Sequence, residues 1–182
     1  MSADLTQSHF ELFSLPARYR LERALLDARY RDLQRSVHPD RFASGSDQER
    51  RISMQQAAQI NEAYQTLKDP LKRGRYLLEL RGHPVDDGKS TATDPAFLME
   101  QMELREELAD VRSQADPLQA LDRIAARVRD NVRALEEELS EALDGDGGDP
   151  ARAVDTVLKM QFYARLQNEL QELEAELEDE FY

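Results

Sequence analysis

The 182-residue chain has no cysteine and no tryptophan, only three histidines and only seven glycines. Each shortage closes a class of function. Without cysteine there is no disulfide, no thiolate nucleophile and no thiolate-ligated metal or cluster site. The histidines, His9, His38 and His83, are remote from one another, and His38 has only Asp40 beside it, so no set of metal ligands is assembled. Long apolar runs are missing as well, and Met1–Phe10 has neither a basic start nor an apolar stretch, so neither a membrane span nor a signal peptide is expected. Basic residues are the minority charge, 24 against 37 acidic ones, for a net charge of −13. Phosphate backbones and anionic lipids repel such a surface, which makes nucleic acid and membranes poor partners.

What is present is a helix former's palette of Leu, Ala, Glu, Arg and Gln. The expectation is an all-α, soluble, cytoplasmic protein. Punctuation divides it. Residues 82–94 carry glycines, prolines and small polar residues without an apolar period, and read as a linker between one domain at 1–81 and another at 95–182. Asp94-Pro95 suits the N-cap and first position of a helix. A second break, Asp144-Gly145-Asp146-Gly147-Gly148-Asp149-Pro150, has aspartates, but their spacing fits an EF-hand loop poorly; it reads as a turn before another helix start.

In the first half, Glu11–Leu15 is expected to form a stub ended by Pro16. Leu26, Tyr30, Leu33 and Val37 then recur at steps of four, three and four, predicting a helix over Tyr19–Ser36 that stops near Val37, before Pro39. Ser46 and Glu49 form a capping box opening a helix that runs to about Lys68, with Ile60, Ala63, Tyr64 and Leu67 as its buried stripe. Asp69-Pro70 breaks it and Leu71–Leu80 follows. Two antiparallel helices therefore flank a loop at Val37–Gly45 that begins with His38-Pro39-Asp40. At about 100° per residue, Arg31 and Arg35 point away from the apolar stripe, with Arg20 on the same side. A basic strip on an acidic protein is a solvated face or a surface steered toward an acidic partner. Catalysis by His38 and Asp40 lacks a nucleophile and an orienting group. A proline-stiffened loop presenting a ring and a carboxylate is better suited to being read by a partner.

In the second half, Phe97, Gln101, Leu104, Leu108 and Val111 form the bundle-facing stripe of a helix beginning near Pro95. Leu98, Met99, Met102, Glu103, Glu106 and Asp110 fall on its flank and far side, as incidental surface or as a docking patch. Leu118, Leu121, Ala125, Val128, Val132, Leu135, Leu139 and Ala142 mark the core face of a second helix. A third runs from Pro150 to about Glu178 with Leu166, Leu170, Leu173 and Leu177 inward and Phe162 at the stripe's edge.

Tyr30-Arg31-Asp32-Leu33 leading into His38-Pro39-Asp40-Arg41-Phe42, followed by Ile60-Asn61-Glu62-Ala63-Tyr64 and Leu67, resembles a J-domain. The resemblance implies that Arg31, Arg35, His38, Pro39 and Asp40 dock on the ATPase part of a DnaK-class chaperone and stimulate ATP hydrolysis. The stretch Phe97–Leu108, with Phe42-Ala43-Ser44-Gly45-Ser46, resembles the HscB family of iron–sulfur cluster co-chaperones, over nearly the whole chain. That implies an L-shaped molecule whose C-terminal three-helix bundle holds the cluster scaffold IscU and delivers it to the specialised chaperone HscA. Leu98, Met99, Met102, Glu103, Glu106, Asp110 and Phe162 are then the scaffold contacts, with no catalytic residue, cofactor or metal. Val37 departs from the family pattern, where an aromatic often precedes the histidine, and so does the glycine-rich loop at 145–148. The missing N-terminal cysteine pairs of eukaryotic relatives imply a bacterial-type protein. A general J-domain protein for unfolded clients would want a promiscuous groove or a glycine- and cysteine-rich region, neither of which is visible. A small hydrolase using His38 and Asp40 would hydrolyse substrate alone and stimulate nothing.

Overall fold

The computed structural model of the chain describes residues 7–38, 45–86, 88 and 94–181. All regular structure among them is helical, in two compact units, Met1–Arg81 and Gly82–Tyr182.

The first unit contains α1 (His9–Leu12), α2 (Arg23–Val37), α3 (Asp47–Lys68) and α4 (Pro70–Leu80). Two capping boxes set two of these starts. Ser46 accepts a hydrogen bond from the Glu49 amide at 3.3 Å while Glu49 accepts from the Ser46 amide at 2.7 Å, and Ser8 and Glu11 repeat the arrangement with the same distances. The box at Ser8 starts α1 two residues before the expected Glu11, and the helix stops at Leu12. α3 packs against α1, α2 and α4, with Ile60, Ala63 and Leu67 essentially inaccessible. Asp69 caps α4 by accepting from the Lys72 amide at 3.0 Å, and Pro70 takes the first helical position, where its missing N–H has no partner to lose.

One boundary differs from expectation for a clear reason. α2 begins at Arg23, not Tyr19. The Tyr19 ring is buried under the Arg73 guanidinium of α4, 4.8 Å from the ring centroid, so tertiary packing outweighs the helical spacing. Arg20 is exposed in the segment before α2 and does not belong to that helix's basic face.

The second unit holds α5 (Pro95–Asp110), a 3-10 turn (Val111–Ser113), α6 (Pro117–Asp144) and α7 (Pro150–Phe181). Their common core includes Phe97, Leu104, Val128, Tyr163, Leu166 and Leu177. α6 packs on both α5 and α7, so its buried face is wider than the three-and-four stripe and adds Ala120, Ile124 and Leu143. On α7 the buried face extends N-terminally through Ala153, Val157 and Met160, where Thr156 and Lys159 interrupt the apolar pattern, and the helix reaches Phe181. The α6–α7 connection explains its glycines. A Cβ on Gly145 would lie 2.4 Å from the Glu141 carbonyl oxygen, and Gly147 and Gly148 have φ of +88° and +57°, a region that L side chains rarely adopt.

The α2–α3 hairpin is tied at the end where its connecting segment begins. The buried Ser53 hydroxyl donates to the Val37 carbonyl at 2.6 Å, satisfying one of the carbonyls that the end of α2 leaves without an intrahelical partner. Ser53→Ala should therefore cost about 1–3 kcal/mol, read by urea denaturation, because a buried acceptor is stranded. A change below about 0.5 kcal/mol would mean that water replaces the bond. The capping boxes make a second prediction. Hydrogen bonds from the serine amide, then the serine hydroxyl, hold the Glu11 and Glu49 carboxyls below the ordinary 4.5. A lowered carboxyl pKa stabilises the fold above that value and the contribution is lost as pH falls below it, so helicity should decline on acid titration. Glu11→Gln with Glu49→Gln should flatten that acid limb.

Candidate functional site

Two surfaces carry the residues singled out in the sequence. The first is the α2–α3 hairpin. Tyr30 and Tyr64 stack across it with centroids 3.9 Å apart and planes inclined at 15°. The Tyr30 hydroxyl donates to Asn61 Oδ1 at 2.8 Å, and the Gln34 amide donates to the same oxygen. The Tyr64 hydroxyl donates to Asp27 Oδ1 at 3.0 Å, and Arg23 Nε reaches the same carboxylate at 2.8 Å. Those bonds, from Arg23 first, hold the Asp27 carboxyl below its ordinary range. The sequence places Tyr30 and Tyr64 on apolar stripes and Asn61 in the J-domain-like motif; in the fold the three close the hairpin on itself.

With Ser53 securing Val37, the chain leaves α2 in a defined direction. His38 follows as the C-cap, exposed, with φ −58° and ψ 132°, the extended geometry that a following proline favours. Pro39 and Asp40 lie outside the described residues. Arg31 and Arg35 are exposed on the outer face of α2, as the helical repeat requires. Arg35 contacts Asp32 at 3.4 Å with both side chains at least 70% exposed, so solvent screens that pair heavily.

The second surface is the outer side of α5. Leu98, Met99 and Met102 are 42%, 63% and 65% exposed, and Glu103, Glu106 and Asp110 continue the exposed face toward the C-terminal end of α5. Phe162 reaches this region from α7. It is half-buried, edge-on to Phe97 at 5.7 Å and to Tyr163 at 5.3 Å, with the Arg105 guanidinium 5.7 Å above its ring. Phe162 is thus neither fully core nor fully surface: one edge packs inward and the rest stays reachable.

Three polar features around this surface are not visible in the sequence. Asn131 donates to Glu100 at 2.5 Å and to the Tyr163 hydroxyl at 3.0 Å, joining α5, α6 and α7. Burial, then the Glu100 carboxylate, pushes the Tyr163 phenol above its ordinary range. Lys159 reaches Asp94 at 2.8 Å and Asp155 at 3.2 Å, and Asp94 also caps α5 through the Ala96 and Phe97 amides. Arg105 pairs loosely with Glu169 of α7 at 3.7 Å. Only cross-helix partners reveal these roles, and single-helix periodicity does not carry them.

Residues 9–76 match the family model described as the DnaJ domain, and residues 93–171 match that of the HSCB C-terminal oligomerisation domain. A co-chaperone protein HscB homolog of Burkholderia multivorans is 49% identical over 166 residues, covering 91% of this chain and 93% of that protein. The chain belongs to the HscB co-chaperone family. Among solved structures, the chaperone HscB from Vibrio cholerae is 44% identical with a TM-score of 0.83, covering 94% of this chain and 99% of that one. The human co-chaperone protein HscB is 32% identical with a TM-score of 0.84, covering 94% and 84%. The first unit is therefore a J-domain and the second an HscB C-terminal domain. In this J-domain the Tyr30–Tyr64 stack and the Tyr30–Asn61 hydrogen bond hold α2 against α3.

Exposure separates the residues of this surface energetically. Met99→Ala and Met102→Ala should each shift stability by no more than about 0.5 kcal/mol, as expected for surface positions. Phe162→Ala should cost about 1–3 kcal/mol, short of the roughly 3–5 typical of a fully buried phenylalanine. Thermal melts of the three variants check the order, and large losses for the methionines would make them core residues.

Proposed function

We propose that this chain is an adaptor without catalytic residues of its own, acting in iron–sulfur cluster assembly in the cytoplasm. Its J-domain engages the DnaK-class chaperone HscA through His38, Pro39, Asp40, Arg31 and Arg35 and stimulates ATP hydrolysis there. Its C-terminal domain holds the scaffold IscU through Leu98, Met99, Met102, Glu103, Glu106, Asp110 and Phe162. The observation that carries this reading is the exposed Leu98, Met99 and Met102 on α5, in a bundle whose other large apolar side chains, among the described residues, are buried or partly buried, on a chain whose other unit is a J-domain.

Physical chemistry supports a division of labour. A basic strip on a protein of net charge −13 is a local exception that favours fast, salt-sensitive association with an acidic surface. The α5 patch has the composition of an interface centre: adaptable methionines within an acidic rim. The chemistry and the cluster belong to the partners, since no cysteine is available to hold iron. Among the described residues no group of three or more His, Asp or Glu is placed to hold a metal, and no helix is long and apolar enough to cross a membrane. A general J-domain protein for other clients is the second reading, and the exposed α5 patch favours a dedicated partner over it.

The test separates the two surfaces. His38→Gln or Asp40→Asn should leave the melting curve nearly intact and abolish stimulation of the chaperone's ATPase. Raising ionic strength, or Arg35→Glu at low salt, should weaken chaperone binding chiefly by slowing association. The Met99→Ala, Met102→Ala, Phe162→Ala combination should lose scaffold binding by calorimetry while basal ATPase stimulation persists. Truncating central anchors typically costs upwards of about 2 kcal/mol, so the loss is readily measured. Full stimulation by the loop variants, or normal scaffold binding by the triple variant, would sink the corresponding half of the proposal.

A further inference from the structure

A groove beside the α5 face has no role in that reading apart from Asp110 at its lip. It lies between the C-terminal half of α5 and the N-terminal half of α6 and measures about 400 Å3. Glu107 and Asp110 border it on one side and Arg123 and Arg127 on the other, over the nearly buried Ala120 and Ile124. Arg127 is already paired, its guanidinium 2.8 Å from Glu107. Arg123, one turn earlier on α6, is exposed and has no carboxylate partner among the described residues.

The groove is continuous with the docking face. Around α5, Arg105 lies on the side of α7, where it meets Glu169, and Glu100 and Glu107 lie on the side of α6, where they meet Asn131 and Arg127. Met99, Met102, Glu103, Glu106 and Asp110 fall between these edges. The face therefore runs obliquely from Phe162 on α7, across α5, to Asp110 at the lip of the groove.

We infer that this groove receives an acidic side chain of the protein that docks on α5, and that Arg123 is the residue that pairs with it. The inference rests on the scaffold-docking reading above and assigns that surface a charge pattern. Glu103, Glu106 and Asp110 present acids spaced about one helical turn apart, roughly 5 Å along the axis. A basic partner surface could slide by one turn and meet the next acid at little cost. An exposed cation at the end of the row prevents this, because the shifted partner would set positive charge against Arg123. In the correct register a carboxylate meets the guanidinium over an apolar floor, where a bidentate pair forms well. A partner lacking that carboxylate would cover a guanidinium without compensation, which is unfavourable.

Calorimetric titration of the full-length chain with the scaffold protein tests this, using the wild type, Arg123→Ala, Arg123→Glu, and Met99→Ala with Met102→Ala. Arg123 is exposed, so both of its variants should melt as the wild type does. Arg123→Glu should weaken binding about tenfold or more and Arg123→Ala by less, as expected for reversing against removing one member of a charge pair. Reversing a single acidic residue of the scaffold to Lys should restore binding to Arg123→Glu and to no other variant. If the methionine pair loses binding while Arg123→Glu binds like the wild type, the groove is not part of the interface and the inference is overturned. It is overturned equally if no single reversal on the scaffold restores binding. A wild-type chain that fails to bind the scaffold would overturn the docking reading itself, and this inference with it.

Discussion

The J-domain depends on a polar closure between two helices. Stacking of Tyr30 on Tyr64 and their hydrogen bonds to Asn61 and Asp27 fix how α2 lies against α3 over the outer half of the hairpin, and Ser53 fixes it at the end where the chain departs. Apolar contact alone, through Leu26, Ile60 and Leu67, is non-directional and would tolerate sliding or rotation. Directional bonds at both ends of the pair remove that freedom. Arg31, Arg35 and His38 acquire defined positions on the exposed side because the opposite side of α2 is locked.

α5 meets the complementary problem. A helix in a three-helix bundle has two neighbours, and its remaining arc faces water. α5 commits Phe97 and Leu104 to the core, Glu100 and Glu107 to α6 and Arg105 to α7, yet the free arc still carries Leu98, Met99 and Met102. Three large apolar side chains within five positions on an exposed arc add little to the stability of the isolated domain. Their presence on a helix so thoroughly tied on its other sides is what makes the arc readable as a contact surface.

Much of this is legible in the amino-acid sequence. The Ser46 capping box, the Asp94-Pro95 helix start and the break at Asp69-Pro70 are local chemistry, and the helices begin and end at those residues. The outward placement of Arg31, Arg35, Met99 and Met102 follows from periodicity alone. Where sequence and fold disagree, a distant residue intervenes. Tyr19 continues the helical spacing backward, but Arg73 and the core claim its ring. The inward face of α7 near Lys159 and Tyr163 is interrupted in sequence because Asp94, Asn131 and Glu100 supply partners from other helices. Phe162 is ambiguous in sequence for the same reason, since its burial is decided by Phe97 and Arg105 across the bundle. Pattern in one helix reports which way a residue points; it is silent on what waits there.

Asp94 does two things with one carboxylate, capping α5 and holding Lys159 of α7. In mechanical terms the first turn of α5 is a peg. A pull arriving along the chain from the N-terminal side meets the peg before it meets α5, and the load passes into α7 through the ammonium without peeling the helix open from its end. Residues can be added to or removed from the chain upstream of the peg without altering which face α5 shows to solvent. A change made within α5 itself, between Phe97 and Leu98, would turn Leu98, Met99 and Met102 by about 100° per residue relative to the ring that Phe97 buries.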